Sequence, residues 1–294
     1  MEQFLQATVN GLLHGGLYAL IAVGFSLVWG VMHVVNISHG AFVIVGAYIA
    51  WKLQGAVGLD PLLGMIVAAG VLFAFGYGLQ RGLINRVINA PIWMTLLLTF
   101  GLELLIVNAL LITFTGDYRS ISTPYATGGL TLGSVRVPYG RLLAFALAIA
   151  LTVALAAFMA RTRTGQAIRA TGMDRVTARL MGIGAAHIYA LTFAISAALA
   201  AAAGVMVGII GTFSPADAGT FTLRSFVISV LGGLGNMWGA LAGGLVLGIA
   251  EAWGGQYISG TLVNAIALSV LILVLIVRPA GLLGRPYYEA KAEV

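Results

Sequence analysis

The side chains able to do chemistry are few, and their types exclude most reactions. Cysteine is absent, so there is no thiolate nucleophile, disulfide framework or thiolate metal site. The only lysines are Lys52 and Lys291, and neither stands in a GxxxxGK[ST] loop, so the chain cannot cradle ATP in that way. No HExxH or GxSxG pattern occurs. His33 and His39 are six residues apart and do not share a helical face. Hydrogen bonding to irregular backbone suits them better than metal ligation. What remains is a pair of acids, Glu103 and Glu251, each inside a long apolar run. An ionisable group at membrane depth is a functional candidate by default. Glu103 has Thr99 one turn before it and reads equally as a functional acid and as a hydrogen-bonded structural group. Glu251 lies near the end of its run and reads as structural. No catalytic residue, cofactor site or metal site is expected.

Basic chemistry is concentrated in one stretch, Arg161 to Gly184, which holds Arg161, Arg163, Arg169, Arg175 and Arg179 against a single acid, Asp174. Lys and Arg beside membrane spans are retained on the cytoplasmic side, so the stretch reads as a cytoplasmic loop. Thr171 and Asp174 have capping-box spacing. A short helix is therefore expected from about Gly172, stopping near Gly182 or Gly184, where glycine can turn left-handed. Val176, Leu180 and Ile183 would share one face of it. Arg175 and Arg179, four apart, would repel each other by a few tenths of a kcal/mol unless an acidic partner relieves them.

The elements that position these groups are membrane spans. Hydrophobic residues make up 60% of the chain and charged residues 8%, against about 25% charged in an ordinary soluble domain. Apolar runs of about 20 residues can cross roughly 30 Å of hydrocarbon. The short alternating segments of a β-barrel are missing. The fold class is thus an all-α, polytopic bundle of eight or nine crossings, a single domain over residues 1–294 with the basic loop at 161–184. The net charge of +6 is a matter of topology and calls for no nucleic-acid partner. The loop at Arg81 to Ala90 lies two crossings before the Arg-rich loop, so both should share the cytoplasmic side. The N-terminus is then external, and Arg278, Arg285 and Lys291 favour an internal C-terminus. No cleavable signal peptide is expected, since Met1-Glu2-Gln3 lacks a basic start.

Two stretches break the apolar pattern. Trp29 to Gly40 places two histidines, Asn36 and Ser38 inside a span-like run. Val230 to Gly248 is glycine-rich, with Gly239/Gly243 and Gly244/Gly248 at the spacing that lets helices approach closely, as do Gly11 and Gly15. Irregular backbone at membrane depth is tolerated only where protein or a watery cavity covers it. Paired interruptions in two halves of a chain often mark a transport pathway. Asn36, His39, Gly40, Gly232, Gly233 and Gly235 are the candidate pathway residues.

These motifs resemble the permease subunits of bacterial branched-chain amino-acid ABC importers, in the shorter, LivH-type form. The resemblance rests on Asn36-Ile37-Ser38-His39-Gly40 with Gly46-Ala47-Tyr48, and on Gly165 to Ala170 with Asp174, Ala178 and Gly182-Ile183. It also rests on Val230-Leu231-Gly232-Gly233-Leu234-Gly235 with Gly239-Ala240 and Gly243-Gly244-Leu245 to Glu251, and on Arg278-Pro279-Ala280-Gly281-Leu282-Leu283-Gly284. Ala41 and Trp238 depart from it, where the family often has Glu and Pro. The resemblance implies a multi-pass subunit of the bacterial inner membrane that moves branched-chain or related small amino acids. It implies a homologous, LivM-like second permease, two cytoplasmic ATP-binding subunits and an external solute-binding protein as partners. It further implies that Arg169, Asp174, Val176, Arg179, Leu180 and Gly182 couple to an ATPase, with no ATP hydrolysis in this chain itself. The competing class is a self-contained secondary transporter or channel for a small polar solute, which would need its own coupling site, and Glu103 is the candidate.

Overall fold

The computed structural model describes residues 2–133, 135–258 and 260–284. Among these, seven helices are long and apolar enough to cross a membrane. They are α1 (Glu2–Met32), α2 (His39–Val57), α3 (Pro61–Leu79), α4 (Ile92–Phe114), α5 (Tyr139–Arg161), α8 (Ala185–Ile210) and α10 (Met237–Tyr257). The candidate span of α3 runs on to Val87 through a π-helical turn, Gln80–Ile84. Two short helices, α6 (Arg163–Met173) and α7 (Arg175–Leu180), occupy the Arg-rich stretch. Two further apolar helices, α9 (Ala218–Gly232) and α11 (Val263–Val277), have 15 residues each. The chain is a polytopic helical membrane protein, with the crossing number set by how α9 and α11 are counted. The polar loop after α4 contains a small antiparallel hairpin, β1 (Gly129–Leu132) and β2 (Val135–Pro138), paired Gly129 to Pro138 and Leu132 to Val135. Arg285 and Lys291 lie outside the described residues.

The chain divides into two compact units that are interleaved in sequence. The first comprises Met1–Ser26, Ser122–Thr152 and Arg224–Val294, and the second Leu27–Ile121 and Val153–Leu223. Three of their boundaries fall inside α1, α5 and α9, and the fourth lies in the loop after α4.

The first unit is built on close helix approach. A Cβ on Gly15 would come 2.6 Å from Gly244 O, and one on Gly244 would come 2.6 Å from Ala19 N. The small-residue steps read from the sequence therefore do their expected work, bringing α1 against α10. Gln6 ties the β2 strand to α1 by accepting from Arg136 N (2.7 Å) and donating to Arg136 O (2.9 Å).

In the second unit α8 packs along α2 and α3. Gly46 faces Ala201, and Gly76 faces Ala197, with no room for side chains between them. Phe42 stands edge-on to Phe75 and Phe193 at centroid distances of 6.1 and 5.8 Å, within the usual range for aromatic pairs. The turn from α2 to α3 has ordinary chemistry: Gly58 is left-handed, Asp60 accepts from Leu62 N at 2.8 Å, and Pro61 opens α3. Outward-facing Val67, Val71 and Phe75 on α3 are exposed, as a lipid-facing surface requires.

Candidate functional site

The first interruption is a real break. Between α1 and α2, residues 33–38 are not helical, and His33 has a φ of 54°. Its backbone is satisfied by side chains from other helices of the same unit. Thr99 Oγ1 accepts from Ile37 N at 3.2 Å, and its one proton is shared among Val35 O (3.2 Å), Thr95 O (3.0 Å) and Leu96 O (3.1 Å). Thr222 Oγ1 accepts from Gly40 N at 2.9 Å and donates to Ile37 O at 2.7 Å. Thr99 is seven residues into α4, about 10 Å along it, so the break lies at span depth. Two threonines replace the water that a soluble loop would use. Asn36, Ser38 and His39 are fully buried around this point. Ser38 Oγ donates to Asn36 Oδ1 at 2.7 Å, while Asn36 Nδ2 has no partner. A Cβ on Gly40 would run into Ala218 O, so the start of α2 and the start of α9 touch through backbone.

The second interruption, in the first unit, separates α9 from α10. Gly233 and Gly235 have φ of 104° and 81°, which side-chain-bearing residues rarely adopt. Gly232 and Gly239 meet backbone to backbone. The segment after α11 closes the gap: Leu282 N donates to Leu231 O at 2.8 Å, Leu283 N to Gly232 O at 2.9 Å, and Asn236 Nδ2 to Leu283 O at 2.7 Å. The Gly-rich run and the Arg278 to Gly284 motif, far apart in sequence, are thus one local structure.

The Arg-rich stretch differs from its expected form. It contains two helices rather than one, because Asp174 is an N-cap and not the third residue of a capping box. Asp174 Oδ1 accepts from Val176 N (2.8 Å) and Thr177 N (3.2 Å), and the Thr177 hydroxyl donates to its other oxygen. Those donors, the Thr177 hydroxyl foremost, hold its carboxyl below the usual Asp range. Thr171 is interior to α6 and donates to Ala167 O at 2.8 Å. Thr162 caps α6 by accepting from Gly165 N at 2.9 Å. The stop is at Gly182, φ 82°, with Ile183 N returning to Ala178 O. Val176 and Leu180 are 68% and 82% exposed, with Ile183 half-buried beside them. Arg169 and Arg179 are exposed. Arg175 is not offered outward beside Arg179. It donates to Asn89 Oδ1 at 2.5 Å and lies 5.5 Å from the ring centroid of Tyr189. This contact also places the loop after α3 and the Arg-rich stretch on the same side.

The two intramembrane acids have different surroundings. Glu103 is 7% exposed, with Gly219 opposite its carboxylate. Glu251 is 6% exposed and accepts from Tyr18 Oη at 2.5 Å, while the Arg224 guanidinium sits 4.9 Å over the Tyr18 ring. The polar cross-link from α1 to α10 fits a structural Glu251.

A model of the branched-chain amino acid transport system permease component family matches residues 7–277. The chain belongs to that family. The permease is 35% identical over 299 residues to the high-affinity branched-chain amino acid transport system permease protein BraD of Pseudomonas aeruginosa, with 97% of each chain covered. It is 32% identical over 301 residues to the corresponding LivH of Escherichia coli K12, again with 97% of each covered. To LivM of the same organism it is 26% identical over 309 residues, covering 94% of this chain and 70% of LivM. The relatives are thus permease components of branched-chain amino-acid transport systems, and both permease types are represented among them. Within this permease, the sequence reading missed Thr222 and Arg224. Neither stands in a pattern, and only the fold brings Thr222 to the break and Arg224 to Tyr18.

Proposed function

We propose that this permease moves branched-chain or related small amino acids inward across the bacterial inner membrane, as one membrane subunit of an ATP-driven importer. It pairs with a homologous, LivM-like permease. Two cytoplasmic ATP-binding subunits hydrolyse ATP, and an external solute-binding protein delivers substrate. The N-terminus is external and the 161–184 stretch cytoplasmic. The two interrupted stretches line or gate the pathway through Asn36, His39, Gly40, Gly232, Gly233 and Gly235, and Glu103 is not a coupling acid.

One observation carries the coupling reading: α7 is a capped, glycine-stopped helix whose Val176 and Leu180, with Met181 just after it, are 68%, 82% and 78% exposed. Burying one such side chain fully contributes about 1.5–3 kcal/mol, a strong incentive for a partner groove to cover them. A pre-formed helix also loses less entropy on docking. Arg179 on α7 and Arg169 on α6 are exposed as well, and Asp174 and Gly182 fix the ends of α7. Leu180→Asp should abolish co-purification of the ATP-binding subunits while membrane insertion survives, because a charge would be buried at the contact. Arg163→Gln, at the start of α6, should not. Normal ATPase capture by Leu180→Asp would show that the stretch is a topology signal only.

A further inference from the structure

At the ends of α3 and α8 the second unit holds an open depression of about 480 Å³, lined by Arg81, Arg179, Gly182, Ile183 and the first residues of α8 through His187. We propose that it is a binding site for the phosphate of an anionic phospholipid, which ties α7 to α3. The lining carries two guanidinium groups and no acid. Arg81 donates to Tyr77 Oη at 2.8 Å, and Tyr77 Oη lies 2.8 Å from His187 Nδ1. Arginine can only donate, so the Tyr77 hydroxyl accepts from it, and the same hydroxyl shares a second hydrogen bond with Nδ1. The N-cap of α8 is Gly184, which has no side chain to cap the N–H groups of Ala185 and Ala186 at the start of a 26-residue helix. The charged side chains on the wall are both cationic and the start of a long helix opens beside them, which fits an oxyanion. Arg81 itself sits in the π-helical turn, a distortion frequent at functional sites.

The surroundings select a lipid over a free anion. Below Arg81 the outward face of α3 is apolar and exposed at Val67, Val71 and Phe75, and Leu83 is exposed beside it. Acyl chains can lie on this wall while the headgroup enters the depression, which lies where spans end and lipid phosphates are found. Basic pockets between spans are a recurrent form of anionic headgroup site. A carboxylate from a cytoplasmic subunit would satisfy Arg179 but would have no use for the apolar wall of α3. Because Arg179 is on α7, the bound phosphate would hold that helix against a span. The consequence for coupling rests on the function proposed above, but the binding site itself does not.

The test is native mass spectrometry of the purified full chain without partners, titrated with dioleoyl-phosphatidylglycerol, dioleoyl-phosphatidylcholine or inorganic phosphate. Phosphatidylglycerol should be retained in preference to phosphatidylcholine and should resist displacement by inorganic phosphate. Arg81→Gln and Arg179→Gln should each weaken its retention roughly fivefold, the effect of losing about 1 kcal/mol per basic residue, and Arg163→Gln should not. If Arg81→Gln fails to insert, Arg179→Gln alone decides. Equal retention of both lipids, displacement by phosphate, or unchanged retention in the Arg179 variant would each overturn the site. Unchanged retention together with lost ATPase capture would assign the depression to the partner instead. In reconstituted importer, uptake should rise with phosphatidylglycerol content. Failure of that arm alone would count against the coupling role and leave the site standing.

Discussion

Thr222→Val probes how the break between α1 and α2 is held. Valine has nearly the shape of threonine, so neither a cavity nor a clash is introduced. What is lost is the acceptor for Gly40 N and the donor for Ile37 O. Thr222 is 8% exposed and Gly40 is buried, so water cannot readily replace the hydroxyl there. Each buried backbone group left without a partner costs about 1–3 kcal/mol, giving about 2–6 kcal/mol for the pair. The lower end, about 2 kcal/mol, is expected because Ile37 is only half-buried and water can reach its carbonyl. The assay is denaturant unfolding of the purified chain in detergent, with Thr220→Val, an exposed threonine on the same helix, as control. Uptake should fall with stability, since Thr222 joins the start of α2 to α9. A Thr222→Val chain within about 0.5 kcal/mol of the control, the usual scatter of surface changes, would refute the idea that this hydroxyl staples the break.

Three further outcomes follow from the same geometry. Glu103→Gln should keep most uptake, with a change within about 1 kcal/mol, the worth of one hydrogen bond. Uptake abolished at normal expression and restored by shifting pH would instead favour a secondary transporter. Asp174 is held below its ordinary value of 3.8 by its capping donors, so its contribution to α7 is fully present above that value and fades only as pH falls through the lowered one. ATPase association should therefore be flat around neutral pH, preserved in Asp174→Asn, which can still cap, and weakened in Asp174→Ala; a pH-dependent association in the wild type would contradict this. Because the chain has no cysteine, single cysteines at Asn36 and Leu234 can be labelled cleanly. Labelling that changes with turnover is expected, and uniform protection at both with and without turnover would remove them from the pathway.

Much of this was legible in the sequence because membrane spans are written in composition. Length and hydropathy gave the spans, and small residues four apart marked α1 and α10 as helices that another helix can approach closely, though not that they approach each other. The glycine stop at Gly182 and the two interruptions also followed from local rules. The cap did not, because Thr171 and Asp174 satisfy a capping-box pattern that a second N-cap also satisfies. Only the end of α6 at Met173 decides between them. Thr99 and Thr222 were illegible as a pair, since 123 positions separate them and a lone threonine in an apolar run more often bonds its own helix. Arg175 was expected to seek an acid, but Asn89 and Tyr189 occupy it, and both belong to other elements. The hairpin of β1 and β2 was hidden in a polar loop whose strands are four residues each, too short for alternation to stand out.

What separates the proposed importer from a secondary transporter is ATP-driven import through a permease that hydrolyses nothing itself. Its most direct test is uptake of radiolabelled leucine into proteoliposomes. One set contains this chain with its LivM-like partner, the ATP-binding subunits and the solute-binding protein. The other contains this chain alone under a proton or sodium gradient. Uptake is expected in the first set only, dependent on ATP and lost with Leu180→Asp in this chain. Gradient-driven uptake by the chain alone, or ATP-driven uptake indifferent to Leu180→Asp, would contradict it.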